Sequence, residues 1–255
     1  MVAFHRSIIA GAVLLVASAA GASADYYKGM KDMPITNFQP ASWYVRGDYS
    51  HAWMDASELS GAITPFATLS MDNAWSVGGG IGRYFGRGIR GDITYEWRGK
   101  SNVHGGNACS TDFDLKSSLL LANVYYDFRP YERFTPYVGV GLGAAHHRTS
   151  GGTIVDTGCG TPILAYDGDS NWSAAGAVMA GFSFRIDRGA HAPVSIKDAP
   201  VSEPGRLHLD VGYRFLYLGD AHAGNLIGVV PPTPGPRLDD VTAQEIRVGL
   251  RWDIR

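Results

Sequence analysis

Residues 207–218 read LHLDVGYRFLYL and residues 245–254 read EIRVGLRWDI, and two kinds of side chain alternate along both stretches. In the first, every odd-numbered residue is apolar or aromatic, whereas His208, Asp210 and Arg214 lie among the even-numbered ones. In the second, the even-numbered residues are apolar and the odd-numbered ones are charged or glycine. A period of two places alternate side chains on opposite faces of an extended chain. Both stretches are therefore predicted β-strands with one apolar and one charged face.

The charged face decides between two kinds of β-protein. A soluble sandwich would bury its aromatic face and expose the charges, whereas a membrane barrel turns the apolar face to lipid and encloses a polar lumen. Six further stretches alternate in the same way, and each has at least the ~9–11 residues that a tilted membrane strand requires. They are residues 43–53, 75–85, 89–98, 118–128, 135–145 and 172–186. The sequence thus predicts an all-β fold, an eight-stranded antiparallel up-and-down transmembrane β-barrel.

The tryptophans provide an independent check, because all six lie on the predicted apolar faces near strand ends. If the chain runs up and down, one rim holds Trp53, Trp75, Trp97 and Trp172, and the other holds Trp43 and Trp252. Two aromatic girdles are expected at the two interfaces of a membrane. The alternative is that these residues are ordinary core tryptophans of a soluble β-sandwich.

The inward face of the predicted barrel collects seven basic and seven acidic residues. The basic residues are Arg46, Arg90, Arg98, Arg185, Arg214, Arg247 and Arg251, and the acidic ones are Asp48, Asp92, Glu96, Asp127, Asp210, Glu245 and Asp253. Because a buried unpaired charge is very costly, this balance predicts ion pairs between strands. An eight-stranded barrel is wide enough only for its own side chains or one small ligand. We expect a lumen plugged by this network; the alternative is a narrow pore whose pairs rearrange.

The predicted connections alternate between short and long. Residues 86–88 and 129–134 are short turns, and four long external loops are predicted at residues 55–72, 99–114, 148–170 and 219–242. Short turns on one side and long loops on the other are typical of outer-membrane barrels. Two features depart from this regularity. The stretch from Arg83 to Phe85 is out of phase and predicts a bulge, and the connection at residues 187–205 is long where a short turn is expected.

The start of the chain has the pattern of a secretory signal peptide. His5 and Arg6 precede an apolar run from Ile8 to Ala20, and the small residues Ala22-Ser23-Ala24 follow it. We therefore assign residues 1–24 to a cleaved signal peptide, 25–41 to an N-terminal periplasmic segment and 42–255 to the barrel domain. The alternative is an N-terminal membrane anchor, for which the apolar run is short.

If the chain is exported, its two cysteines lie in an oxidising environment. Cys109 lies in the second predicted long loop and Cys159 in the third, and two cysteines in an exported chain favour a disulfide. The alternative is two free thiols. The formal net charge of −2 gives no electrostatic case for binding nucleic acid.

No residue set points to catalysis, a cofactor or a metal. His146 and His147 are adjacent, so they point to opposite faces of a strand and cannot easily share one ion. A lipid-modifying enzyme would need a serine, a histidine and an acid together on the lipid-facing rim. Ser50 and His51 are also adjacent and face opposite ways. We therefore expect a protein that is not an enzyme.

Four short motifs carry a resemblance to a known family: WYVRGD at 43–48, NVYYDF at 123–128, DVGYRF at 210–215 and EIRVGLR at 245–251. Together they resemble small outer-membrane β-barrels, namely OmpA-like transmembrane domains and the opacity-type surface antigens of Gram-negative, particularly alpha-proteobacterial, cells. The resemblance implies a porin-like barrel of the cell envelope, surrounded by outer-membrane lipid, with a part in envelope structure, surface antigenicity, adhesion or slow solute passage. We expect a monomer with a structural or surface-interaction role, whose external loops contact a surface ligand or host molecule. The alternatives are a small porin and a lipid-modifying barrel enzyme.

Overall fold

The computed structural model describes residues 43–61, 68–106, 109–128, 130, 133–158, 160–186 and 206–254 of the 255-residue chain. Every described residue belongs to one compact unit, Pro40–Arg255. The signal peptide predicted at 1–24, the segment predicted at 25–41 and the long connection at 187–205 lie outside the described residues. In the part of the chain that is described, no helix has the length and apolar character needed to cross a membrane.

Within those ranges the chain forms twelve β-strands. They are β1 (Trp43–Asp55), β2 (Glu58–Ser60), β3 (Thr68–Met71), β4 (Ala74–Gly86), β5 (Ile89–Gly106), β6 (Cys109–Asp127), β7 (Phe134–Thr149), β8 (Gly152–Asp156), β9 (Pro162–Tyr166), β10 (Ser170–Ile186), β11 (Leu207–His222) and β12 (Arg237–Ile254).

The eight longest strands close into a ring. Around it the order is β1, β4, β5, β6, β7, β10, β11 and β12, and β12 pairs with β1. Every one of these pairings is antiparallel. Closure lets neighbouring strands satisfy each other's backbone hydrogen bonds, as a barrel in lipid requires. The predicted fold class, an eight-stranded antiparallel up-and-down barrel, is confirmed.

The end of β4 corrects one detail of the sequence interpretation. The alternation continues through the stretch predicted to be out of phase: Arg83 and Phe85 are exposed on the outside, and Tyr84 between them points inward. The register shift against β5 comes one step later, between Tyr84 and Gly86. It coincides with the tight turn to β5, where Gly86 and Gly88 have φ angles of 82° and 79°, a region that glycine adopts at little cost.

The strands at the other end are longer than predicted. We call this the long-loop end, and the end with the turn between β4 and β5 the short-turn end. Residues 99–114 were predicted as a long loop, but β5 continues to Gly106 and β6 begins at Cys109. Two other predicted loops contain short strands, which extend the sheet: β2 pairs with β12, β3 with β5, and β8 with β6 and β9.

The polarity of the two faces inverts where these extensions begin. On β5 and β6 the outward residues change from apolar ones to Lys100, His104 and Lys116, while the inward ones become Val103 and Phe113. A register shift between Arg98 and Ser101 marks the change on β5. An apolar outside suits lipid and a polar outside suits water. The prediction required an apolar outward face, and it therefore ended these strands too early.

Candidate functional site

The centre of the lumen is crossed by an ion pair between opposite walls of the barrel. Arg214 on β11 donates two hydrogen bonds to the carboxylate of Glu96 on β5, at 2.7 and 2.5 Å. These strands lie four positions apart in the ring of eight, which is as far apart as two strands can be. Arg214 also donates to Glu245 at 2.6 Å, and Glu245 accepts a further bond from Arg98. Arg214 and Glu245 are each 0% exposed.

A second cluster, formed by residues of β1, β5 and β12, adjoins this centre. Arg46 donates to Asp48 at 2.7 Å and to Asp92 at 3.0 Å. Arg247 lies 3.1 Å from Asp48 and 3.5 Å from Glu96, so it connects the second cluster to the first. Charge-assisted bonds of this kind are roughly twice as strong as neutral ones, and the bond from Arg46 to Asp92 links β1 to β5.

The charges continue to the short-turn end of the lumen. Arg251 pairs with Asp210 at 3.1 Å and donates to Ser183 at 2.7 Å. Asp253 accepts from the Tyr84 hydroxyl at 2.8 Å, and His208 lies 3.2 Å from the same carboxylate.

Arg90 has a partly aromatic environment. Its Nε donates to Asp127 at 3.1 Å, and its guanidinium lies 4.1 Å from the centre of the Tyr125 ring and 5.1 Å from that of Tyr137. The Nη1 and Nη2 atoms are buried without a hydrogen-bond partner. Cation–π contacts with the two tyrosines stabilise this charge instead.

The structure therefore brings together most of the charges predicted to line the lumen. Twelve of the fourteen are buried, and Asp48 and Arg185 are partly buried. The prediction did not include the tyrosines at positions 44, 84, 125 and 137, which also face the network. Most of these tyrosines occupy inward positions in the alternating stretches. The alternation of side chains could therefore have identified them from the sequence.

An apolar layer closes the interior at the long-loop end. We call it the apolar cap; it consists of buried residues contributed by six of the strands and by the connection from β11 to β12. Its main members are Leu59, Val103, Phe113, Leu115, Ile154, Tyr166, Leu226 and Leu238. The Tyr166 hydroxyl lies 2.7 Å from Thr111 Oγ1, and burial raises the pKa of this phenol.

The six tryptophans are all exposed on the outside of the barrel. The pairing register connects Trp97 to Ser118, Ser118 to His146 and His146 to Trp172, so these residues form one row across four strands. Trp75 lies against Trp97 with ring centres 5.1 Å apart.

At the short-turn end, Trp43 and Trp252 are the corresponding pair on neighbouring strands, since Trp43 is paired with Ile254 and Trp252 with Val45. The Arg83 guanidinium lies 5.5 Å from the centre of the Trp43 ring. A charged arginine is thus held against an aromatic ring at the rim of the barrel.

Comparison with known proteins decides the family. The family described as "Outer membrane protein beta-barrel domain" matches residues 10–252. The chain belongs to this family. Membership places this outer-membrane barrel in the outer membrane of a Gram-negative cell.

The chain is also similar to individual known proteins. It is 25% identical to an uncharacterized protein of Brucella abortus, over 87% of this chain and 88% of that protein. It is 37% identical to opacity protein opA52 of Neisseria gonorrhoeae over 42% of this chain and 45% of that one. Among solved structures it is similar to the outer membrane protein OprG from Pseudomonas aeruginosa, with 12% identity, a TM-score of 0.44, and coverage of 84% of this chain and 96% of that one.

Among the described residues, a buried serine and a buried histidine lie within hydrogen-bond distance of each other. Ser117 Oγ lies 2.8 Å from His147 Nδ1, and His147 Nε2 lies 2.9 Å from the carbonyl oxygen of Leu218. Because that carbonyl can only accept, Nε2 carries the proton and Nδ1 accepts from the serine hydroxyl. Both side chains are buried inside the barrel, at 5% and 0% exposure. Ser50 is buried beside Ser76, at 2.5 Å.

The other residues considered for a catalytic or metal site lie apart from one another. His51 is exposed and lies against Trp53, with ring centres 5.0 Å apart. His146 packs on Trp172 outside the barrel, so it does not share a face with the buried His147. Among the described residues, no group of three or more His, Cys, Asp and Glu side chains is arranged to hold a metal ion. Cys109 is buried; Cys159 lies outside the described residues, and the disulfide stays a prediction.

Proposed function

We propose that this outer-membrane barrel is a closed, non-conducting monomer that acts through the surface at its long-loop end, without a catalytic role. The observation that carries the proposal is the ion pair between Arg214 and Glu96, which spans the full width of the lumen. A solute moving along the barrel axis would have to separate these two side chains.

The energetics favour a closed state. Breaking a buried ion pair by removing one partner costs on the order of 3–5 kcal/mol, because the other charge is left without compensation. Glu245 is paired with Arg214, and Arg98 is paired with Glu245, so a passage would disturb several contacts at once. Beyond them the apolar cap would also have to open to water. A narrow pore with mobile charges is the alternative that these contacts oppose.

A surface role is supported by the extension of the sheet beyond the tryptophan row. We take the long-loop end as the external side, as in other barrels of the outer membrane. There β5 and β6 present polar side chains to water and pack apolar ones inside. The exposed apolar residues Ile163, Ile227 and Val230 lie on the outermost segments and are available to a surface ligand or host molecule.

Liposome swelling tests the proposal. Folded protein is incorporated into liposomes, and the rate of swelling in isotonic sugar is compared with that of protein-free liposomes and of liposomes containing a general porin. Gel mobility before and after heating verifies folding in the same samples. We expect the rate of the protein-free control. Swelling that rises in proportion to the amount of folded protein contradicts a closed barrel and favours the porin.

A further inference from the structure

Three cations form a row on the outside of the barrel at the long-loop end. Lys116 on β6 stands directly opposite Arg148 on β7 in the pairing register. On the other side of Lys116, Lys100 lies in the bulge of β5 between the pairs Arg98–Ser117 and Ser101–Leu115. All three side chains are exposed, so the row crosses three neighbouring strands on the outward face.

This arrangement leaves positive charge uncompensated. Like charges directly opposite each other on an antiparallel pair are destabilising. Asp114 offsets part of the charge, since it lies 3.2 Å from Lys100. Neither Lys116 nor Arg148 forms a side-chain ion pair or hydrogen bond within the described ranges. An external anion between Lys116 and Arg148 would remove the repulsion.

The row of cations lies immediately beyond the aromatic row. Two residues nearer the barrel centre, the register runs from Trp97 through Ser118 and His146 to Trp172. The indoles project from either end of this row, at 43% and 69% exposure. Ser118 and His146 between them are smaller and only partly exposed. Trp97 and Trp172 therefore project on either side of a strip of outer surface, formed by Ser118 and His146, whose side chains project less.

The strip continues as apolar surface towards the barrel centre. Two residues further on, Leu120 is paired with Ala144, and Ala144 with Ala174. The small side chains of Ala144 and Ala174 leave room beside Leu120 for an acyl chain along the wall. The strip thus combines an apolar floor, aromatic flanks and cations at one end.

We propose that this strip binds a phosphorylated lipid of the outer leaflet, with its phosphate between Lys116 and Arg148 and an acyl chain between Trp97 and Trp172. An arginine fork suits a phosphate group, and lysine adds a compact positive charge. Tryptophan is favoured at the level of the lipid headgroups. This inference rests on the orientation taken under the proposed function and is independent of whether the lumen is closed.

The test measures preference for a phosphomonoester lipid. The folded full chain is placed in phosphatidylcholine vesicles that contain a small fraction of phosphatidic acid with brominated acyl chains, and quenching of tryptophan fluorescence is measured. The same measurement with brominated phosphatidylcholine gives the baseline. The variant K116Q/R148Q removes two charges of the site, and R83Q/R87Q removes two exposed charges at the short-turn end as a matched control.

We expect the wild type and R83Q/R87Q to prefer phosphatidic acid, and K116Q/R148Q to lose about 25-fold of that preference, since each cation near a membrane surface contributes roughly fivefold. Equal preference in K116Q/R148Q and the wild type overturns the proposal. An equal loss in R83Q/R87Q also overturns it, because the effect would be general electrostatics. Suppression of the preference by inorganic phosphate, with K116Q/R148Q insensitive, overturns it in favour of a site for soluble phosphate. Swelling rates of the variants are measured in parallel, so failure here is distinguishable from an open lumen.

Discussion

Replacing Arg214 with methionine should be among the most damaging single changes to this barrel. The substitution removes three hydrogen bonds, two to Glu96 and one to Glu245. Glu245 keeps its bond from Arg98, but the nearest remaining cation to Glu96 is Arg247, at 3.5 Å. Glu96 thus becomes a buried carboxylate without adequate compensation. The expected loss is about 3–5 kcal/mol of unfolding free energy.

The double variant E96Q/R214M separates this explanation from a simple packing defect. With the carboxylate replaced by a neutral amide, the uncompensated charge disappears, and we expect about half of the lost stability to return. The assay is urea unfolding of the folded protein in lipid vesicles, followed by tryptophan fluorescence and gel mobility. The exposed arginine of the Arg237–Asp220 pair gives the control, because R237Q should cost about 1 kcal/mol or less. A loss below about 1 kcal/mol for R214M, or no recovery in the double variant, would refute the reasoning.

Two further predictions concern other parts of the barrel. Gly212 faces the Tyr137 hydroxyl, which would lie 2.6 Å from an added Cβ, so G212A should lower the unfolding free energy by about 1–3 kcal/mol in the same urea assay. At the long-loop end, the Asp240 backbone N–H donates to Asp220 at 3.0 Å and holds the pKa of that carboxyl below its usual value, with help from Arg237. A depressed pKa stabilises the fold above the unfolded value of ~3.9 and loses that effect as pH falls through the folded value, so D220N should speed proteolysis of the β11–β12 connection near neutral pH but not in strong acid.

Each of these predictions has its own control. An alanine at Gly176 meets no atom nearer than 3.8 Å, so G176A should leave stability nearly unchanged where G212A lowers it. If both alanines cost the same, close packing against Tyr137 is not the cause. For the pH experiment, cleavage at another exposed loop reports any general effect of acid on the protease. A difference between D220N and the wild type that grows in acid would contradict the sign of the pKa shift.

Alternation was enough to predict most of the fold. Period two separated the outward Val45 and Trp97 from the inward Arg46 and Glu96, because in a strand the face of a residue depends only on parity. The strand ends were less predictable. Lys100 lies beyond the aromatic row, where the outward face of the strand is polar. A prediction that requires apolar outward residues therefore ends the strand before Lys100.

The partners within the lumen could not be predicted from the sequence. Arg214 and Glu96 are 118 residues apart in the chain and meet because their strands lie opposite each other in the ring. Whether a residue is odd- or even-numbered gives the face of the strand on which it lies. It gives neither the position of the residue along the barrel axis nor its partner across the lumen. For the same reason, the sequence predicted a balance of charges without showing that Arg90 is stabilised partly by Tyr125 and Tyr137.

Single-channel conductance in a planar lipid bilayer tests the closed lumen most directly. The chain from Asp25 to Arg255 is folded, inserted and shown to be present in the membrane before recording. The ion pair across the lumen predicts a flat current trace at moderate voltage, indistinguishable from that of the lipid alone. Reproducible current steps that change in size when Arg98 or Glu96 is neutralised would contradict the closed barrel and show that ions pass through the charged network.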